Sequence, residues 1–149
     1  MLLGGETVVE TVTSIVRGEA VARTQASIYD GELRPAPKIF RDTCRIDWNK
    51  NCTELYNFVR GLSPYPAAWM EVTDANGAVN SIKVYETRKE LCEPSQPSGT
   101  LLTDGKSYVK VAVNDGYLHL TSLQLPGKKR MPTADLLRGF SFEGLNIVK

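Results

Sequence analysis

Closely spaced turn signals divide the second half of this sequence into short segments. The turn sequences are Asn76-Gly77, Asp104-Gly105, Asn114-Asp115-Gly116 and Pro126-Gly127. Such sequences favour the tight turns that join neighbouring antiparallel strands. The pattern therefore predicts hairpin-connected strands after Pro66.

Five β-like runs lie between these turns. They span residues 67–73, 79–86, 99–103, 108–113 and 117–125. In the run 108–113, Val109, Val111 and Val113 alternate with Lys110 and Ala112, which is the period of a strand. Five strands within about 60 residues favour a small antiparallel barrel over a sandwich. We therefore predict a mixed α/β, mainly β fold.

A capped helix precedes these strands. Asn51 is followed three positions later by Glu54, which is the pattern of a capping box. Pro64 ends the helix, because proline cannot continue it. The apolar stripe consists of Leu55, Phe58, Val59 and Leu62. A helix followed by a five-stranded antiparallel barrel has an OB-like outline.

The N-terminal part combines a helix with a long irregular stretch. Apolar spacing predicts a helix over residues 2–17 that stops at Gly18, without a clear N-cap. Pro35 and Pro37 interrupt the stretch that follows. Because that stretch is long for a connection within a compact domain, it indicates a linker.

We therefore predict three parts. Residues 1–33 are the last helix and trailing segment of a truncated domain, residues 34–50 are a linker, and residues 51–149 are the OB-like domain.

Composition excludes several classes of protein. The 149 residues are 42% hydrophobic and 23% charged, which is ordinary for a globular domain. Three cysteines without a CxxC spacing and a single histidine argue against a zinc site and indicate reduced thiols. No stretch is typical of a signal peptide or a membrane span. We expect a cytoplasmic protein without a metal or a membrane partner.

The main charge cluster follows the turn at Pro126-Gly127. It consists of Lys128, Lys129 and Arg130, and a short helix with Thr133 as its expected N-cap comes next. Cations on a loop at a barrel rim suit phosphate contact better than catalysis, because each neutralised phosphate releases counterions. By itself, the run is equally compatible with a solvated loop.

Three segments together resemble the C-terminal part of methionyl-tRNA formyltransferases. They are APKI (36–39), IDWNKNCTELYNFVRGLSPYPAAW (46–69) and LQLPGKKRMPTADLLRG (123–139). The middle segment resembles formyltransferases in general, and the last one is similar to the tRNA enzyme within that group. The family often has glycine where this chain has Ala67, a departure that we expect to be mild.

The resemblance implies transfer of a formyl group from 10-formyltetrahydrofolate to the amino group of initiator methionyl-tRNA. The family's catalytic Asn, His and Asp and its folate-binding loop belong to an N-terminal Rossmann-like domain, of which residues 2–17 resemble the last helix. No match to those motifs occurs here, and His119 lies in a β-like run. We therefore expect a fragment of an enzyme that is inactive alone, binds no cofactor, and has the tRNA and its own catalytic domain as partners.

The resemblance makes a set of cations the expected tRNA contacts. They are Lys128, Lys129, Arg130, Lys106, Lys110, Lys38 and Arg60. Lys38 and Arg60 match family positions near the domain junction and are equally suited to pairing with the absent domain. Trp48, Tyr65 and Trp69 fit core or junction anchors better than base-stacking platforms.

Two other functions stay open. One is the C-terminal part of another formyltetrahydrofolate-dependent formyltransferase or hydrolase, against which the cation cluster argues. The other is a free-standing OB-like interaction module, against which the helix over residues 2–17 argues, because its apolar face needs a partner surface.

Overall fold

The computed structural model describes residues 2–24, 27–28, 31–32 and 35–148. The chain forms two compact units, residues 1–37 and 38–149. The domain boundary predicted between residues 33 and 34 lies outside the described residues.

The first unit contains one helix, α1 (Leu2–Val16), which confirms the helix predicted from apolar spacing. Gly18, with a φ of 71°, follows its end in the left-handed conformation that favours glycine. Large apolar side chains along α1 are exposed, including Leu3, Val12 and Val16. Its assignment as the last helix of a Rossmann-like domain stays a prediction.

The second unit is built on one antiparallel sheet that curls into a near-closed barrel. Its strands are β1 (Ala68–Thr73), β2 (Val79–Leu91), β3 (Leu101–Thr103), β4 (Val109–Val113), β5 (Gly116–Gln124), β6 (Met131–Pro132) and β7 (Asn146–Ile147). The order is β3-β4-β5-β2-β1-β7, and β6 pairs with β5. The predicted mainly β, antiparallel architecture is thus confirmed, while the OB-like assignment stays a prediction.

Strand β2 is longer than the sequence predicts and lies between β1 and β5 in the sheet. Its first half pairs with β1, and the residues from Lys83 to Leu91 pair with β5. Register shifts between Val84 and Thr87 bend the strand, because a bulge increases local twist. Ile82 and Val84 are buried in the core.

Helix α2 (Cys52–Leu62) packs its apolar stripe on the sheet. The Asn51 side chain accepts a hydrogen bond from the Glu54 N–H, and the Glu54 carboxylate accepts one from the Asn51 N–H, which confirms the capping box. Asp115 Oδ1 accepts a further hydrogen bond of 2.7 Å from the Cys52 N–H. The turn before β5 therefore fixes the start of α2.

Residues 38–50, which the sequence assigns to a linker, belong to the second unit. The first regular element of this segment is a short 3-10 helix at Asp42–Cys44. Cys44, Ile46 and Trp48 alternate into the hydrophobic core, and Arg45 forms a parallel bridge with Trp69 of β1. Cys44 ends the 3-10 helix, Ile46 follows in an irregular stretch and Trp48 lies in the next turn, and all three are buried.

The expectation that Thr133 is an N-cap is wrong. Helix α3 (Thr133–Leu136) follows Pro132, which occupies the cap position without a side-chain hydrogen bond. Thr133 is buried, and its hydroxyl donates to the carbonyl oxygen of Leu120. The hydroxyl therefore ties the start of α3 to β5.

Ala67 has a left-handed backbone, with a φ of 74°, and is buried. We expect Ala67→Val to destabilise the fold by about 2 kcal/mol, because a β-branched side chain is strongly disfavoured there. Ala67→Gly should change the free energy of unfolding by less than about 1 kcal/mol. Relief of about 1–2 kcal/mol of backbone strain is offset by loss of a buried methyl and by greater chain entropy. Urea unfolding of both variants tests this, and equal losses would contradict it.

Candidate nucleic-acid interface

The turn that carries the cation cluster is fixed to the outer face of the sheet. Lys128 N–H donates to the Leu125 carbonyl oxygen at 3.1 Å, which closes the turn. Gln124 Nε2 donates to the Lys128 carbonyl oxygen at 2.8 Å, and Tyr85 Oη donates to Gln124 Oε1 at 2.6 Å. Strands β2 and β5 thus hold the backbone of the turn.

Lys128 and Lys129 are exposed on this turn. Within the described part of the chain, neither ammonium group has an ion pair or a hydrogen bond. Their charge is therefore available to an external anion.

Arg130 differs, because the protein already neutralises it. Its guanidinium group forms an ion pair with Glu86 and lies 4.7 Å from the centre of the Tyr85 ring. Its Nε also donates to Ser122 Oγ at 2.9 Å. Through these contacts, Arg130 holds the turn against the sheet.

Arg60 lies beside the same face. A surface groove between α2 and β2 is lined in part by Tyr56, Arg60 and Tyr85, so Tyr85 connects this groove with Arg130. The Arg60 guanidinium lies 5.7 Å from the centre of the Tyr56 ring, and Lys89 Nζ lies 5.2 Å from it. We call Arg60, Lys128, Lys129 and Arg130 the basic surface.

Sequence reasoning did not select Lys89. It lies beyond the predicted end of the second β-like run, in the part of β2 that follows the bulge. Alternation of Tyr85, Thr87 and Lys89 was the signal available in the sequence.

Lys110 lies apart from the basic surface. Its Nζ is 3.1 Å from Glu90 Oε1 and 4.0 Å from the centre of the Tyr117 ring. It pairs in register with His119, five residues before Gln124 and hence about 17 Å away along β5. Lys110 is thus both neutralised and remote.

The two other predicted cations are exposed. Lys106 lies in the turn before β4, where Asp104 Oδ1 accepts the Lys106 N–H at 2.9 Å. Lys38 lies at the start of the second unit, with its Nζ 5.5 Å from the centre of the Phe40 ring. The structure therefore brings together Arg60 and the three cations of the turn, but not Lys38, Lys106 or Lys110. The role of all these residues in RNA contact stays a prediction.

Comparison with known proteins assigns the family. Residues 38–141 match the family model described as formyl transferase, C-terminal domain. The chain belongs to this family. The segment matched begins at the same residue as the barrel unit, Lys38.

Close relatives of this formyl transferase C-terminal domain are methionyl-tRNA formyltransferases. The protein of Bacteroides thetaiotaomicron is 51% identical over 142 residues, which are 94% of this chain and 44% of the relative. That of Phocaeicola vulgatus is 49% identical and covers 100% of this chain and 47% of the relative. The predicted resemblance is confirmed, and the chain spans less than half the length of these relatives.

Solved structures share the fold at low identity. A variant of HypX from Aquifex aeolicus has a TM-score of 0.58 and 21% identity, covering 90% of this chain and 23% of the HypX chain. HypX in complex with tetrahydrofolic acid gives a TM-score of 0.55 at 21% identity, covering 89% of this chain and 22% of that one. At such identities, the likeness concerns the fold alone.

Ionisable groups elsewhere in this formyl transferase C-terminal domain have structural partners. His119 Nε2 is hydrogen-bonded to Glu90, and its Nδ1 lies 3.4 Å from an Arg88 nitrogen. The hydrogen bond with His119, followed by that from Lys110, holds the pKa of Glu90 below its usual value. This cluster joins β2, β4 and β5. The contacts of His119 are therefore those of a structural residue in a strand.

Other groups with shifted pKa values are equally explained by the fold. Hydrogen bonds, first from the Ser107 hydroxyl and then from the backbone N–H groups of Ser107 and Lys106, hold the pKa of Asp104 far below its usual value. Burial, followed by the charge of Asp115, raises the pKa of Cys52 to about 11, so this thiol is protonated and unreactive.

The part of the chain that the structure describes has neither a metal-binding cluster nor a membrane-spanning helix. No group of three or more His, Cys, Asp or Glu side chains there has an arrangement that would hold a metal ion. No described helix is both long and apolar enough to cross a bilayer.

Proposed function

We propose that this chain is the part of a methionyl-tRNA formyltransferase that binds and positions initiator methionyl-tRNA during translation initiation. The complete enzyme transfers a formyl group from 10-formyltetrahydrofolate to the methionine amino group. The resemblance assigns the catalytic and folate-binding residues to a preceding Rossmann-like domain, which α1 completes. The chain alone is then inactive, and its OB-like barrel supplies affinity for the tRNA.

The observation that carries this proposal is a pair of lysines, on a turn with a fixed backbone, that have no partner among the described residues. Lys128 and Lys129 are exposed, whereas Arg130 and Lys110 are each paired with a glutamate. A free ammonium group gains most from a phosphate, because no internal ion pair must be broken. The relatives are methionyl-tRNA formyltransferases, which points to tRNA as the source of those phosphates.

The proposal predicts that Lys128→Ala with Lys129→Ala weakens tRNA binding by roughly 10- to 30-fold near 0.15 M salt. Removing two phosphate contacts should also reduce the slope of log K against log salt by about 1.8. Fluorescence anisotropy with labelled initiator tRNA, recorded between 50 and 200 mM salt, measures both quantities. Over this range, the ratio of the two affinities, original chain to variant, should fall about tenfold.

Two control variants separate charge from structure. Lys128→Arg with Lys129→Arg keeps both charges and should retain most of the affinity and the full slope. Lys50→Ala removes one exposed cation just before the N-cap of α2, about 15 Å along the helix axis from Arg60, and should have little effect. An unchanged slope in the double alanine variant would show that the turn does not contact phosphates.

A further inference from the structure

A second groove lies on the outer face of β1 and β2. Its lining includes Phe40, Arg41, Tyr65, Trp69 and Lys83, and its volume is about 430 Å³. We call it the aromatic groove. Its size lies within the range of small-ligand sites, so it has room for flat ring systems.

Three aromatic side chains of the groove are available to a ligand. Tyr65 is 87% exposed and Phe40 is 60% exposed, which is unusual for such large rings. Prolines on both sides of Tyr65 restrict its backbone. Trp69 is half-buried, and its Nε1 donates to the Arg41 carbonyl oxygen at 2.8 Å. The rings are thus exposed, while the segments that carry them are restrained.

The charge of the groove is positive. The Arg41 guanidinium lies 5.2 Å from the centre of the Trp69 ring, and Lys83 lines the groove beside them. No acidic side chain from the described ranges lines the groove. Such a lining is complementary to a polyanion with flat aromatic groups.

The groove adjoins the turn of the basic surface. Lys83 pairs in register with Trp69 on one side and with Gln124 on the other. Gln124 in turn holds the backbone of Lys128. Because neighbouring strands lie about 5 Å apart, one bound strand of RNA can reach both the groove and the turn.

We propose that the aromatic groove stacks unpaired nucleotides of the RNA whose phosphates contact the basic surface. Stacking on exposed rings is tolerant of sequence, since every base has a π-face. Arg41 and Lys83 supply positive charge for the phosphates next to the stacked bases. This proposal rests on the proposed function, and it adds that single-stranded RNA is the form that the groove binds. An apolar peptide would leave both cations without a partner.

The test compares two probes on the 149-residue chain. One probe is a labelled single-stranded oligouridylate, and the other is a blunt RNA duplex of equal total charge. Phe40→Ala with Tyr65→Ala should weaken single-strand binding at least fivefold for each stacked base that is lost. Its affinity for the duplex should stay within twofold of the original, and its salt slope should not change, because no cation is removed.

Two further variants serve as controls. Phe40→Tyr with Tyr65→Phe keeps both rings and should restore single-strand affinity. Leu91→Ala truncates another exposed apolar side chain, at the far end of β2, and should leave both affinities unchanged.

The outcomes separate the groove from the turn. If the aromatic variant binds oligouridylate as tightly as the original chain while the lysine variant does not, the groove proposal is overturned and the proposed function stands. If neither variant weakens binding to either probe, both are overturned. Equal losses on duplex and single strand in the aromatic variant would also overturn stacking, since they would indicate a change in the fold.

Discussion

Gly116→Ala should destabilise the barrel by about 3–5 kcal/mol, a large part of the total stability of a small domain. An added Cβ at this position would lie 2.1 Å from the Glu90 carbonyl oxygen and 3.1 Å from the Cys92 N–H nitrogen. Gly116 also has a φ of 153°, which side chains rarely adopt. Because both obstructing atoms belong to the backbone, β2 and β5 must separate to relieve the contact.

Two other glycine variants divide this effect into its causes. Gly77→Ala meets no atom within 4 Å at a φ of 82°, so it should cost only the left-handed strain of about 1–2 kcal/mol. At Gly139 an added Cβ would meet no atom within 4 Å, and the backbone is not in the left-handed region. Gly139→Ala should therefore be neutral or slightly stabilising. Urea unfolding followed by circular dichroism ranks the three, and a Gly116 variant no less stable than the Gly77 variant would contradict the clash.

Local signals explain why much of the fold was predictable. The capping box at Asn51 and Glu54 and the turn sequences each act within a few residues, and the structure has an element boundary at each of them. The two-residue strands β6 and β7 were not predicted, because a run of two residues is too short to show the alternation of apolar and polar side chains. The prolines led to the prediction of a linker over residues 34–50. The alternation of Cys44, Ile46 and Trp48, which are buried, was better evidence that this segment packs on the core.

The candidate site was less predictable, because its partners are distant in sequence. Arg130 pairs with Glu86, and Lys110 with Glu90, and both pairings depend on the register of β2 after its bulge. Residue type and family position alone do not distinguish a lysine or arginine that is ion-paired in the fold from one that is not. The exposure of Tyr65 depends in the same way on the packing around β1 and β2.

Phe142→Ala should be the other strongly destabilising change, with an expected loss of about 3–5 kcal/mol. Phe142 is 1% exposed, and its ring meets that of Phe140 edge-on with centroids 5.0 Å apart. It belongs to the hydrophobic core although it lies in the irregular segment between α3 and β7. Truncation leaves a cavity and removes an anchor of the C-terminal segment, which follows the turn of the basic surface.

The size of this effect depends on burial, so a matched pair of variants tests it. Phe140 is only half-buried, and Phe140→Ala should cost clearly less than Phe142→Ala. Phe142→Leu conserves most of the volume and should cost less than about 1.5 kcal/mol. Amide exchange at Val148, whose N–H donates to the Glu71 carbonyl oxygen at 2.9 Å, reports on the segment directly. Exchange there should accelerate in Phe142→Ala, and equal losses of stability in the two alanine variants would show that Phe142 is not the anchor.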